Sequence, residues 1–287
     1  MSTPGVFDAE QFKEQVRQNW ARQAAQWRKW TSQKEVQSRA ATQLIVQAAR
    51  IKPGMRVLDL ASGTGDPALT VAEAVGPHGH VTATDLASEM LAVAEERSHE
   101  RRLANMTFRQ ADAEVLPFPD QAFNAVTCRW GVMFFPDVQQ ALQEIQRVLK
   151  PGGCAAFVAW GPSEQELDAW IPQNILKKYV TVPPPQPGAP SAGRFAQPGT
   201  LSAALREAGF RQVQEASPTI PYPWPGPPEQ NWEAQKEYRR STQRLVERLA
   251  PEQRAQVDAE VVEAIRKYYD GQQVNFTACV VVASGVR

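Results

Sequence analysis

A doubly wound α/β sheet is the fold class this sequence predicts, on three observations. Between Met55 and Trp160 short apolar runs alternate with helical segments, the rhythm of right-handed βαβ units on a parallel sheet. A glycine-rich turn, Gly63-x-Gly65-x-x-Ala68, follows directly on the first of those runs. An acid, Asp85, closes the second run.

In chain order, Phe12, Val16, Trp20, Trp27 and Trp30 recur at helical spacings and line one face of a first helix, beginning near Phe7. Ser32-Gln-Lys-Glu35 predicts a capping box opening a second helix that reaches about Arg50. That stripe packs on the chain's own core rather than on a membrane, since exposed tryptophans are costly. Strands are predicted at 56–60, 80–85, 106–110, 123–129 and 154–160, with helices near 66–75, 88–103 and 137–149. Asp137-Val-Gln-Gln140 caps the last helix, and Pro151-Gly152-Gly153 stops it, because proline cannot continue a helix and glycine accepts left-handed torsions. Beyond Trp160 the rhythm changes to a helix at 164–179 and a stiff proline tract at 182–190, read as a surface loop. A helix at 200–208 ended by Gly209, a strand at 212–220, two amphipathic helices at 232–249 and 252–269, and a final strand at 276–284 complete the pattern. The connection between the last two strands far exceeds a hairpin loop and reads as an insert covering a site. The expected division is an N-terminal helical cap over 1–50 on a core of 51–287 that carries cap insertions at about 161–198 and 222–272.

Composition narrows the function. Thirty-one basic residues balance thirty-one acidic ones, so no global field recruits nucleic acid or an anionic membrane. No apolar run reaches membrane-spanning length, and the N-terminus lacks a basic segment followed by an apolar run, so a soluble, uncleaved chain is expected. Cys128, Cys154 and Cys279 are scattered and odd in number, which fits reduced, packed thiols and a cytoplasmic location. No metal-ligand spacing is present, and no metal is expected. Oligomeric state is not legible.

In an open parallel sheet ligands bind beyond the carboxyl ends of the strands, where the distinctive residues fall. Gly63 and Gly65 permit a sharp turn and a close ligand approach, and Asp85 can accept from two ribose hydroxyls. That pair fits a nicotinamide cofactor or an adenosine ligand. Asp59, just ahead of the glycines, would repel a pyrophosphate and suits the ammonium of an amino acid. Asp112, in Gln110-Ala-Asp-Ala-Glu114, is placed to accept from an adenine amino group, with Ala113 adding a backbone contact. An adenosyl group joined to an amino acid describes S-adenosylmethionine.

The pieces Val57-Leu-Asp-Leu-Ala-Ser-Gly-Thr-Gly-Asp66, Thr82-Ala-Thr-Asp85, Gln110-Ala-Asp-Ala-Glu114 and Val148-Leu-Lys-Pro-Gly-Gly153 stand in one order over about residues 50–160. In them the chain resembles the class I S-adenosylmethionine-dependent methyltransferases, nearest the branch of ubiquinone and menaquinone C-methyltransferases and many small-molecule enzymes. The resemblance implies a Rossmann-like seven-stranded sheet with an antiparallel last strand. It also implies in-line methyl transfer to a small molecule, giving S-adenosylhomocysteine, with orientation supplying much of the acceleration. Cofactor contacts are expected at Asp59, Ala61, Gly63, Gly65, Asp85, Leu86, Asp112, Ala113 and Arg129. The transferred methyl is expected near Cys128-Arg-Trp-Gly-Val-Met-Phe-Phe135, with Trp130 and Phe134 facing it. Trp27, Trp30, Tyr179 and Tyr222 are candidates to close the same pocket.

No general base is assigned. His78 and His80 sit at the wrong end of the sheet and His99 lies in a surface-like helix, while Tyr179, Tyr222, Tyr238, Tyr268, Tyr269 and Glu114 remain candidates. Cys128 lacks a histidine to make it a thiolate. Three competing readings stay open: an NAD-dependent oxidoreductase, a noncatalytic S-adenosylmethionine-binding module, and a nucleic-acid methylase weakened by the neutral charge balance. The long helical insert departs from the quinone-methylating branch, so quinone specificity does not follow.

Overall fold

Val57, Leu58 and Leu60, with the buried Asp59 between them, make β1 (Arg56–Leu60) a strand buried on both faces, as the centre of a parallel sheet requires. It is part of a computed structural model describing residues 7–182 and 188–287. Residues 183–187 of the predicted proline tract lie outside the described residues. Two helices precede β1, α1 (Ala9–Lys29) and α2 (Thr31–Ala48). After it come α3 (Ala68–Val75), β2 (His80–Asp85), α4 (Ser88–Glu100), β3 (Met106–Gln110), β4 (Phe123–Arg129), α5 (Val138–Val148) and β5 (Leu149–Trp160). Then follow α6 (Leu167–Leu176), α7 (Thr200–Glu207), β6 (Arg211–Ala216), β7 (Thr219–Pro221), β8 (Trp224–Pro225), α8 (Pro228–Tyr238), α9 (Arg240–Val246), α10 (Pro251–Arg266), β9 (Gln273–Val274) and β10 (Thr277–Val286).

The main sheet runs β3-β2-β1-β4-β5-β10-β6, and β10 lies antiparallel to both neighbours. The strand order reverses beside β1, with β2 on one side and β4 on the other, so their carboxyl ends frame a crevice. The expected antiparallel last strand is present. The single strand predicted at 212–220 is two segments, because Pro218 has no N–H to give a ladder. Its carbonyl instead accepts from Val280 N, and β6 and β7 pair successive parts of β10, which makes eight strands of the expected seven.

Two further expectations need correction. Ser32 is inside α2 rather than capping it, and Glu35 reaches Arg97 and Arg101 on α4 instead of closing a box. The 232–249 helix is broken at Arg239, whose extended backbone (φ −93°, ψ 99°) separates α8 from α9. That break turns its guanidinium onto Glu166 at 3.1 Å and the fully buried Asp168 at 2.8 Å. Tertiary ion pairing outweighs the local helical preference. The cap of α5 holds on one side, since Asp137 accepts from Gln140 N at 2.9 Å while the Gln140 amide turns to Glu114 O.

At the crevice the loops after β1 and β4 touch. A Cβ on Gly131 would lie 2.5 Å from the Ala61 Cβ and 2.8 Å from Cys128 Sγ, both on packed backbone. Gly131→Ala is therefore expected to lower stability by about 1–3 kcal/mol, read as a lower urea midpoint with an unchanged slope.

Candidate active site

The crevice opens into a cleft at the carboxyl ends of β1, β2 and β4 and under α1. Strand geometry sets one wall. Asp85 ends β2 with its Oδ2 accepting from Gly63 N and its Oδ1 from Ala87 N, each at 2.9 Å. Each oxygen keeps a further lone pair. Burial pushes the Asp85 carboxyl upward while the Ala87 and Gly63 amides pull it back. Gly63 holds φ +52°, and a Cβ there would meet little besides the Met90 methyl at 3.6 Å. A carboxylate with two spare acceptor sites beside an open glycine backbone fits the ribose of an adenosyl cofactor.

Gly65 serves a different end from its partner. A Cβ at its φ of +107° would sit 2.9 Å from Leu69 Cδ1 and 3.2 Å from Ala94 Cβ, so it lets α3 and α4 close on the loop and does not line the cleft. Asp59 is also off the cleft wall, contrary to its expected ammonium contact. It is wholly buried, with Ser62 Oγ donating to Oδ2 at 2.7 Å and Thr127 Oγ1 to Oδ1 at 2.5 Å. Both oxygens are engaged in fixing the turn. Ala61 takes φ +54°, a costly conformation for a residue with a Cβ, and lines the cleft with Leu86.

At the far corner Asp112 Oδ1 accepts from Glu114 N at 2.9 Å, and Oδ2 pairs with Lys13 Nζ at 2.8 Å. Ala113 lies beside it on the wall. Lys13, from α1, also meets Glu114 Oε2 at 2.6 Å. Burial works against its charge, but Asp112 and Glu114 outweigh it and hold its pKa up. Sequence reasoning missed Lys13. A lysine next to the apolar Phe12 and near Val16 was the available signal.

Aromatic rings fill out the wall, with Trp130 at the Arg129 end. Trp20 and Trp27 from α1 face the same cleft as Trp130, Phe134 and Phe135 after β4. Trp130, at φ +60°, stacks on Trp160 with centroids 4.2 Å apart and planes 11° from parallel. The indole N–H groups of Trp27 and Trp130 are buried without a partner. Arg129 lines this end, but its guanidinium is committed: Nη1 pairs with Asp66 Oδ2 at 2.7 Å and donates to Thr42 Oγ1 at 2.7 Å, and Nη2 donates to Asp66 O at 2.8 Å. An anionic ligand would have to compete with all three.

Three candidates lie off the cleft. Trp30 packs on Trp224 and donates its indole N–H to Glu237 at 2.7 Å, because the turn between α1 and α2 directs it into the buried cluster of the insert. Tyr179 bonds the surface Glu260. Tyr222 is buried one ring behind Trp130, edge-on at 6.0 Å. Cys128 is buried and desolvation pushes its thiol far up, which rules out a thiolate nucleophile. Among the described residues no cluster of His, Cys, Asp and Glu could hold a metal, and no helix is long and apolar enough to cross a membrane.

A carboxylate on the cleft at the end of β2, a tight glycine loop after β1 and a sheet closed by an antiparallel strand together define a class I, S-adenosylmethionine-dependent methyltransferase. Comparison with known proteins agrees: the ubiE/COQ5 methyltransferase family matches residues 27–169, and the chain belongs to it. A ubiquinone/menaquinone biosynthesis C-methyltransferase of Rhizobium leguminosarum is 38% identical over 176 residues, covering 57% of this chain and 67% of the relative. A demethylmenaquinone methyltransferase of Listeria monocytogenes is 35% identical over 181 residues, covering 58% and 75%. The solved YcgJ protein of Bacillus subtilis shares the fold, with a TM-score of 0.54 at 22% identity, covering 87% of this chain and 98% of its own. The protein is thus an enzyme that transfers methyl from S-adenosylmethionine to a small molecule.

Burial of Asp59 gives a measurable pH dependence. Desolvation pushes its carboxyl up from 3.8 to about 7, against the Ser62 and Thr127 hydrogen bonds. Between those values the folded protein holds a proton that the unfolded chain has released, so this group's stability is present at low pH and is lost as pH rises toward 7. Asp59→Asn is expected to flatten that slope, read as urea-denaturation midpoints that differ less between pH 5 and pH 8 than in the wild type.

Proposed function

We propose that the acceptor is a small, apolar aromatic molecule, methylated between the N-terminal helices and the insert that joins β7 to β10. The observation that carries this reading is the aromatic lining of the cleft, Trp20, Trp27, Trp130, Phe134 and Phe135, where Arg129 is bound to Asp66 and Lys13 to Asp112 and Glu114. Such a wall favours a flat apolar ring and offers no free charge to an anionic substrate. In this reading residues 1–50 and the stretches near 161–198 and 222–272 act as a cap on the core. Related enzymes act in quinone biosynthesis, which supports an aromatic acceptor. The family match ends at residue 169, ahead of the long insert, so the acceptor's detailed shape falls to residues particular to this chain. Three buried, unpaired cysteines support a role in small-molecule metabolism in the cytoplasm.

Asp85 would accept from the ribose hydroxyls, Asp112 and Ala113 would meet the adenine, and Gly63, Ala61 and Leu86 would pack against the nucleoside. Asp59 acts indirectly, through Ser62, by fixing the loop. When bound, S-adenosylmethionine supplies an electrophilic methyl on a sulfonium that is also the leaving group. What the chain must add is alignment of the acceptor and exclusion of water, both suited to an aromatic wall.

Calorimetric titration with S-adenosylhomocysteine tests the cofactor half. The expected result is saturable binding by the wild type, no binding of NAD, and an affinity at least tenfold weaker in Asp85→Ala. That loss corresponds to removing hydrogen bonds to a charged group, about 1.5–3 kcal/mol. Equal affinity in the variant would sink the ribose assignment. For the acceptor half, mass spectrometry of reactions with naphthohydroquinone and with simple phenols should detect a product heavier by one methylene. Turnover only of charged aliphatic amines or acids would overturn the aromatic reading.

A further inference from the structure

Behind the aromatic lining of the cleft lies a lysine that neither the cofactor nor the family motifs account for. Lys34, on α2, is half-buried as a residue, but its ammonium is enclosed by three rings. Nζ stands 4.9 Å from the centroid of Tyr238, 5.3 Å from Tyr222 and 5.7 Å from Trp27. It donates to Gln37 Oε1 at 2.6 Å and to Tyr222 Oη at 3.0 Å, with Tyr238 Oη at 3.5 Å.

Those rings belong to two separate aromatic strings. In the first, Trp20 meets Trp27 edge-on at 5.7 Å and Trp27 meets Tyr238 at 5.2 Å, joining α1 to α8 of the insert. In the second, Trp130 stacks on Trp160, and Tyr222 stands edge-on to both, at 6.0 and 5.6 Å. The first string puts Trp27 on the cleft and the second puts Trp130 there. Lys34 is the cation both strings share, since its ammonium stands by the rings of Trp27 and Tyr238 of one and donates to the Tyr222 hydroxyl of the other.

We propose that Lys34 is a positioning residue for the acceptor: its caged ammonium draws the two aromatic strings together and so sets the spacing of Trp27 and Trp130 in the aromatic lining of the cleft. This rests on the acceptor reading given above. The ring contacts with one string and the charge-assisted hydrogen bond to the Tyr222 hydroxyl of the other keep their strength only while the lysine is charged. Its surroundings set when that is. Burial pushes the pKa down to about 7; Asp168 and Glu166 of the α6 region work against that shift, while Arg239 after α8 and Arg129 at the end of β4 add to it. The remaining facing groups stay neutral, because burial raises both the Tyr222 and Tyr238 phenols. Gln37 on α2 and Trp27 on α1 complete the shell. A lysine lowered by burial favours the neutral form in the folded state, so its charge opposes folding at and below neutral pH. The ammonium is therefore not explained as a stabilising element.

The sign follows. Below about pH 7 the cage is charged and the walls are drawn in, and as pH rises through 7 the attraction is lost. Lys34→Met keeps the stem and removes the charge, while Lys34→Arg keeps a charge at every accessible pH. With naphthohydroquinone as acceptor, the wild-type acceptor KM should rise at least fivefold from pH 6 to pH 8.5. Lys34→Met should show the high KM at both pH values, with kcat changed less than threefold and S-adenosylhomocysteine affinity within twofold of wild type. Lys34→Arg, which also serves should the methionine variant not fold, should lose the rise. Near-ultraviolet circular dichroism, which reads the tryptophan surroundings without an acceptor, should show a transition near pH 7 in the wild type that both variants lack. A transition of equal size in the variants, or a KM that follows pH identically in wild type and Lys34→Arg, overturns the proposal. Should the wild type bind S-adenosylhomocysteine but methylate only charged aliphatic amines or acids, and neither the hydroquinone nor phenols, the acceptor reading fails by itself, and the dichroism still decides the role of Lys34.

Discussion

The buried ion pair of Arg129 and Asp66 holds the cleft in its shape, and most of the site's geometry follows from it. Each side chain is only 9% exposed, and the carboxylate further accepts from Ser38 and Thr42 on α2. Arg129 ends β4, Asp66 closes the glycine loop after β1, and Thr42 belongs to α2, so one set of contacts locks sheet, loop and N-terminal helices together. A buried pair of this kind is weak evidence for net stability, since desolvation offsets much of the attraction. Its effect is on geometry. Removing either partner would leave an unpaired buried charge, so neither loop is free to move independently.

With that lock in place, polar and aromatic groups share the cleft. Asp85 and Asp112 present oxygens, and Lys13 from α1 bridges Asp112 to Glu114. Aromatic rings line the same wall, and the Arg129 guanidinium beside them is satisfied internally. Polar acceptors beside apolar rings are the arrangement that transfer of a methyl cation equivalent calls for, because the donor must be recognised specifically and the acceptor must be kept from water.

The N-terminal helices and the insert after β7 meet over the aromatic lining through buried polar contacts as well as apolar ones. Asp168 accepts from Asn231 at 3.0 Å and Gln235 at 3.2 Å and pairs with Arg239, so α6, α8 and the break before α9 form one body. Trp27 contacts Tyr238 on that body while lining the cleft. Cleft lining and packing of the insert therefore share a side chain.

By itself the sequence determined the order of the core elements, because β-branched runs, glycine turns and a proline–glycine stop act over a few residues. It also determined Asp85 and Asp112, since an acid at a strand end is placed on the crevice by strand direction alone. Side-chain partnership was decided only by the tertiary structure. Asp59 and Gly65 belong to the same motif, yet one lies under the loop and the other against Leu69 and Ala94, depending on atoms far away in sequence such as Thr127. Glu35 left a local cap for arginines on α4, and Arg239 broke a helix to reach Asp168. Lys13 and Lys34 look like ordinary solvated lysines on amphipathic helices. Only the packing of α1 and α2 over the sheet sets one on Asp112 and the other inside an aromatic cage, because long-range contacts and desolvation are properties of the folded chain and leave no local pattern to read.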